Sequence, residues 1–515
     1  VADSRETGSA EIESILVVGG GTAGWMSAVF LNRALGGRVR VTVVESQSIG
    51  TIGVGEATFR SLKHYFDFCG LSEQEWMPPC HATFKFAIKF VDWTAERGAF
   101  YHPFEQYPTV RGIDLPEWWL RTRRGVQPFD MSCFVVPGLC EAKRSPRYLD
   151  GSLFDERALQ PYGYHFDAKL LGDYLRSVGV QRGVHQVWGD VKHVTLGSRG
   201  EVASVSLADG RTLTADLFVD CTGFRGLLIN QALGEPFLPF GDSLLCDSAV
   251  AMRVPTHPDD DINPYTTATA LDAGWVWDIP LSDRVGTGYV YCSGLRTKDE
   301  AEEEFRRHLG ARAAGVDAFH LKMRTGRTRN PWVKNCVSVG LSCGFVEPLE
   351  STGIFFIQYS LNQLLSHFPS KRFEEAVIRN YNAVVGACID GVRDFLILHY
   401  YANDRRDTPF WNAVKDDIVL PERLGERFEL WRARLPNDDN VYPEYHGFRS
   451  YSWLIMLLGL NYQPATCLPL LEYHDDTGVD DAFDGIQRRS RALQARLPSH
   501  AEYVRSLQVA AGASV

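Results

Sequence analysis

The feature that most narrows the possible folds is a six-residue glycine turn, Gly19-Gly20-Gly21-Thr22-Ala23-Gly24, set between two apolar runs. Ahead of it, Ile15-Leu16-Val17-Val18 lacks polar alternation, as expected of a parallel strand covered on both faces. Behind it, Trp25, Met26, Ala28, Val29, Leu31 and Leu35 follow helical spacing, and Val39 to Val44 forms a second strand ending on Glu45. Strand, glycine turn, helix and strand within about 30 residues define a dinucleotide-binding βαβ unit. Gly19 permits the tight turn, Gly21 lets the backbone approach a pyrophosphate, and Gly24 lets helix and strand pack closely. Thr22 and Ala23 begin the helix, whose free N–H groups and positive dipole end suit phosphates. Glu45, 21 residues past Gly24, is placed to bind ribose hydroxyls.

Two later segments favour FAD over NAD. Val219-Asp220-Cys221-Thr222-Gly223 and Val337-Ser338-Val339-Gly340-Leu341 resemble the second and third strand-turn motifs of two-dinucleotide-fold flavoproteins, although Leu341 stands where many carry Asp. No second GxGxxG is present, so a reduced flavin is expected from elsewhere. The fold expected is α/β: a Rossmann-like, two-dinucleotide-fold FAD body with an added, largely helical substrate module. The body is placed at 12–370, with substrate-side insertions around 80–160 and 250–320. The module is placed at 371–515, because the pattern turns helical from about Arg372. Within the body, Val191 to Val205 reads as a hairpin turning at Gly197 and Gly200. Trp453 to Leu458 is too short to span a membrane and reads as a buried helix.

Composition excludes several classes. A net charge of −11 over 515 residues argues against a nucleic-acid surface. Eleven dispersed cysteines show no metal spacing and read as reduced thiols, so neither a disulfide frame nor a metal is expected. No apolar stretch reaches ~20 residues and no signal peptide is visible, so a cytoplasmic protein is expected.

The pattern Gly274-Trp275-Val276-Trp277-Asp278-Ile279-Pro280 carries a family resemblance. So do Gly53-Val54-Gly55-Glu56-Ala57-Thr58, Lys85-Phe86-Ala87-Ile88-Lys89-Phe90, Tyr101-His102-Pro103-Phe104 and Tyr164-His165-Phe166-Asp167-Ala168. Further on stand Gly344-Phe345-Val346-Glu347-Pro348-Leu349-Glu350-Ser351-Thr352-Gly353-Ile354, Arg393-Asp394-Phe395 with His399-Tyr400, and Thr408-Pro409-Phe410-Trp411. In this order they resemble the flavin-dependent tryptophan halogenases over nearly the whole chain. That resemblance implies FADH2 supplied by a separate NAD(P)H-dependent flavin reductase, O2, and chloride oxidised to hypochlorous acid. The acid then travels through a tunnel to a lysine beside an indole.

Lys85 matches the catalytic lysine. Phe84, Phe86, Ile88 and Phe90 alternate onto one face of an expected strand, with Lys85, Ala87 and Lys89 on the other. Lys85 and Lys89 would then lie roughly 13 Å apart, so only one fits a compact site. Hydrogen bonding to hypochlorous acid and chloramine formation both remain open for it. Glu350 matches the catalytic glutamate, able to take the proton lost as the ring rearomatises. Glu347 is a competing carboxylate, and Ser351 is placed to relay between flavin and lysine. The resemblance assigns chloride to the backbone at Thr352 and Gly353. It adds Gly55, Glu56, Ala57, Val191, Leu341 and Ile354 to the flavin site. The substrate pocket is assigned to His102, Phe104, Trp275, Trp277 and Trp453, aromatic walls suited to a flat ring.

Substrate identity is less sharply defined. Tyr442-Pro443-Glu444-Tyr445-His446-Gly447-Phe448-Arg449-Ser450-Tyr451-Ser452-Trp453 resembles the branch acting on the fifth ring position, as does Phe59. Yet Arg449 replaces that branch's acid, and a cation there repels a free ammonium group. Free tryptophan, a tryptophan-containing peptide or larger natural-product precursor, and indole all remain candidates, and a homodimer is left open. The alternatives in function are an aromatic hydroxylase and a non-catalytic flavin-binding subunit.

Overall fold

The computed structural model describes residues 11–48, 50, 53, 55–155, 162–257, 259–441 and 447–512. Its first sheet follows from the glycine motifs. The strands run in the order His185–Trp188, Arg40–Glu45, Ser14–Val18, Leu217–Asp220, Cys336–Ser338 and Trp332–Val333. The first five are parallel and the last is antiparallel. Val18 pairs with Asp220 and Asp220 with Ser338, so the three glycine turns leave adjacent strands at one edge. That edge, beyond the carboxyl ends of the strands, is where an open parallel sheet binds its ligand.

Local sterics explain two of the glycines. Gly19 adopts φ +112°, and a Cβ there would stand 2.3 Å from the Cys221 carbonyl oxygen. At Gly24 a Cβ would stand 1.8 Å from the Gly19 carbonyl oxygen, so only glycine permits the helix Thr22–Ala34 to start this close to the turn. The expected hairpin is present as antiparallel Val191–Leu196 and Val202–Leu207.

A seven-stranded sheet lies on the substrate side. Its order is Phe319–Lys322, Ser248–Pro255, Arg284–Tyr291, Gly274–Pro280, Tyr265–Ala270, Ala87–Val91 and Ala99–Pro103. Here one expectation fails. Residues 84–90 are not one strand with a filled face and an open face. Thr83–Lys85 pairs with Gly163–Phe166 in a small separate sheet, whereas Ala87–Val91 joins the seven-stranded one. Phe86 is the hinge between them, its N–H donating to the Pro264 carbonyl. Both faces are buried: Phe84, Lys85, Phe86, Ala87 and Ile88 are each 0% exposed. Alternation cannot register a chain that changes sheets, because each sheet sets its own inside and outside.

Beyond residue 371 the chain is mainly helical. The 27-residue helix Glu375–Tyr401 packs against Gly353–Ser366 and against the buried helix Ser450–Gly459. A single apolar core runs from Ile12 to Leu507, so the helical part shares its interior with the body. All eleven cysteines are free thiols. Among the described residues no helix is long and apolar enough to cross a membrane, and no cluster has metal-ligand composition.

Candidate active site

The glycine turn meets the requirements of a dinucleotide pyrophosphate. The first helical bond runs from Trp25 N–H to Gly21 C=O, so the amides of Thr22, Ala23 and Gly24 precede it. A Cβ built on Gly21 meets no atom within 4 Å, leaving the space a phosphate needs. Glu45 is buried at the end of its strand, accepting from Trp25 Nε1 at 3.2 Å and from Gln186. The amide of Gly189, two residues before Val191, donates to the Glu45 carbonyl, which puts Val191 close by. A Cβ on Gly340 would stand 2.7 Å from Ala23 Cβ and 3.6 Å from Ile357, so the turn holding Leu341 and the helix beginning at Gly353 and Ile354 converge on the same edge. Gly55 approaches Ile279 and Gly286, while Glu56 and Ala57 pair with Phe166 and His165. Val54 lies outside the described residues.

Lys85 and Glu350 are brought together by chain segments more than 250 residues apart. Glu350 closes a short turn, Pro348–Glu350, and Ser351 follows at φ +60°, in the left-handed region. That conformation turns the Ser351 hydroxyl to Lys85 Nζ, which donates to it at 2.8 Å. Lys85 also lies 5.3 Å from the Phe104 ring centroid. Burial pulls its ammonium down to about 7, against the opposing pull of the Glu350 charge. Lys89 is only part-buried and donates to Glu141 at 2.7 Å, so the two lysines have separate environments.

Glu350 Oε1 faces two imidazoles, His102 Nδ1 at 3.1 Å and His399 Nε2 at 2.8 Å. Burial pushes the carboxyl up, but the two histidines outweigh it and hold the group at about 2. Its Oε2 is buried without a partner among the described residues. Glu347 belongs to a different network, accepting from Trp275 Nε1 at 3.1 Å and from the Tyr400 hydroxyl. Burial raises its carboxyl to about 7 despite those donors. The competition between the two glutamates is resolved by partners.

An aromatic cluster extends from Phe104, the ring beside Lys85. Phe59 lies 5.8 Å from Phe104, 5.5 Å from Phe355 and 5.2 Å from Phe448. Phe448 stacks on Phe395 at 4.0 Å and stands 6.2 Å from His102, and Phe395 meets Trp453 at 5.0 Å. His102, Phe104 and Trp453 thus join one cluster. Trp275 and Trp277 share a strand face as expected, 6.2 Å apart, but Trp275 is tied to Glu347 and Tyr400 instead of to that cluster. Thr352 caps and Gly353 opens the helix Gly353–Ser366, whose first i to i−4 bond comes only at Phe356. That leaves free amides suited to a small anion. Arg449 is exposed just ahead of Ser450–Gly459, and Tyr442 to His446 lie outside the described residues.

Sequence reading gave no role to His399, Phe395 or Phe448. A signal existed for His399: with Val392, Phe395 and Leu396 it falls on one buried helix face, where a lone polar group needs a partner.

A parallel-sheet dinucleotide fold joined to a buried lysine, a glutamate and an aromatic cluster fits a flavin enzyme that modifies an aromatic ring. The tryptophan halogenase family model matches residues 14–476. Tryptophan 6-halogenase SttH of Streptomyces toxytricini is 47% identical over 95% of this chain and 97% of its own. The 7-chloro-L-tryptophan 6-halogenase KtzR of Kutzneria sp. (strain 744) is 46% identical over 95% and 98%. The solved structure of Tar14, a tryptophan C-6 flavin-dependent halogenase (chlorinase) from taromycin biosynthesis, matches with TM-score 0.93 and 47% identity, covering 96% of this chain and 100% of that one. The chain belongs to the tryptophan halogenase family, and as a flavin-dependent halogenase it uses FADH2 and chloride. None of these three relatives carries in its name the fifth ring position that the C-terminal motifs suggested.

Proposed function

We propose that this enzyme chlorinates the indole ring of tryptophan at carbon six, with Lys85 and Glu350 as its catalytic residues. The observation that carries the reading is their meeting at Ser351, beside Phe104, with Glu350 Oε2 buried and without a partner among the described residues. Carbon six is taken from the names of the relatives above. FADH2 from a separate flavin reductase, when bound here, would supply with O2 and chloride the hypochlorous acid. Gly19, Gly21 to Gly24 and Glu45 hold the dinucleotide, with Gly55 to Ala57, Val191, Leu341 and Ile354 around it. The amides at Thr352 and Gly353 hold the halide.

Lys85 then hydrogen-bonds the oxidant or carries its chlorine. With its ammonium pulled down to about 7, Lys85 offers near neutral pH both the charged form that donates a hydrogen bond and the free amine that can accept chlorine. The ring π electrons form the C–Cl bond as the bond from chlorine to oxygen or nitrogen breaks. The electron pair of the broken bond stays on the oxygen, which takes a proton and leaves as water, or on the Lys85 nitrogen as its restored lone pair. The ring C–H bond then breaks, its electron pair restores aromaticity, and Glu350 takes the proton. His102, Phe104 and Trp453 orient the ring so that one carbon faces Lys85. The exposed cation Arg449 favours a tryptophan already joined in a peptide as the second reading. The cytoplasm, where a reductase supplies flavin, is the proposed location.

The test is an assay with flavin reductase, NADH, FAD, O2 and chloride on tryptophan, indole and tryptophan-containing peptides, read by product mass and NMR. From tryptophan, a 6-chlorotryptophan product that disappears in Lys85→Ala is expected. A product that gains oxygen with or without chloride would establish a hydroxylase instead.

A further inference from the structure

His399 lies inside the long helix, 0% exposed, its ring fixed among Phe90 at 5.4 Å, Trp93 at 6.3 Å and Phe395 at 4.9 Å. Nδ1 stands 2.7 Å from the Phe395 carbonyl oxygen. A carbonyl oxygen only accepts, so Nδ1 carries a hydrogen. Nε2 stands 2.8 Å from Glu350 Oε1, where two lone pairs would repel, so a proton lies between them. It belongs either to the carboxyl or to the imidazole. His102 Nδ1 reaches the same oxygen at 3.1 Å, a geometry suited to an ionised acceptor of two donors.

We propose that His399 is the positioning residue of Glu350, an imidazolium that grips Oε1 and leaves Oε2 as the free base. This deepens the halogenase reading and rests on it. The pair keeps Glu350 ionised in a buried site and fixes the direction of its remaining oxygen. A carboxylate so held is a weak base, and the cationic ring, whose chlorine-bearing carbon still carries its hydrogen, gives up that proton to a weak base. The other charged or titratable groups around the pair are Lys85 through Ser351, His102 on the strand Ala99–Pro103, and Glu347 behind Tyr400.

Two measurements test this. In [15N]histidine-labelled protein, with the His399 signals assigned by their loss in His399→Gln, both ring nitrogens should read as protonated at pH 7.5. In Glu350→Gln the ring should become neutral. A neutral His399 in the unaltered protein overturns the proposal, and this readout stands whatever the enzyme chlorinates. In kinetics, His399→Gln and His399→Phe should lower kcat at pH 6 about tenfold more than at pH 8, relative to the unaltered enzyme. KM for tryptophan should stay within about threefold. His399→Gln keeps an amide donor without charge and serves if His399→Phe fails to fold. A pH profile unmoved in the folded variant overturns the proposal.

Discussion

Replacing Lys85 with methionine removes an ammonium from a site with no exposure to water. The group falls from an ordinary 10.5 to about 7 on folding, chiefly through burial. At ~1.36 kcal/mol per pH unit, the protonated lysine makes folding about 5 kcal/mol less favourable. That cost is full below pH 7. Between 7 and 10.5 the unfolded chain holds a proton the folded chain lacks, so stability rises with pH across this window. By this linkage the cost is about 5 kcal/mol at pH 6 and about 2 kcal/mol at pH 9. Methionine carries neither, and whatever it does to packing is the same at both pH values. The Glu350 carboxyl, held at about 2, is ionised at both and also cancels. With roughly 2.1 cal/mol/K of unfolding entropy per residue over 515 residues, the Tm advantage of Lys85→Met should be about 2 °C larger at pH 6 than at pH 9. Scanning calorimetry of both proteins at the two pH values measures it. An advantage that does not change with pH, or grows toward pH 9, refutes the claim that burial depresses this lysine. The same variant should give no chlorinated product.

The two key glycines should separate folding from binding. Gly24→Ala forces a methyl against the Gly19 carbonyl and should lose both thermal stability and FAD binding. Gly21→Ala meets no protein atom, so its Tm should be unchanged while FAD affinity, read by flavin fluorescence, falls by about tenfold or more. Glu350→Gln should lower kcat by roughly 10²–10⁴ with little change in the tryptophan KM, by steady-state kinetics. Glu347 rises from 4.5 to about 7 on folding, so its stabilising contribution is full below 4.5 and lost as pH climbs through 7. Glu347→Gln should therefore gain about 2 °C more in Tm over the unaltered protein at pH 8 than at pH 5.

The sequence by itself determined the nucleotide half. Strand, turn and helix between Ser14 and Glu45 are set by neighbours, and steric demands at Gly19 and Gly24 act over a few ångströms of local backbone. The helix Ser450–Gly459 and the hairpin after Val191 were legible for the same reason. Lys85 and Glu350 were legible only as matches to a family pattern, not as a pair. Tertiary structure decided which partner each received: Lys85 meets Ser351 across 266 residues, and Glu350 meets His102 across 248 and His399 across 49. It also broke the strand at Phe86 and tied Trp275 to Glu347. Periodicity reports which face of an element is apolar. It carries no information on which distant group meets that face, and the charge state of a buried acid or amine depends on that meeting.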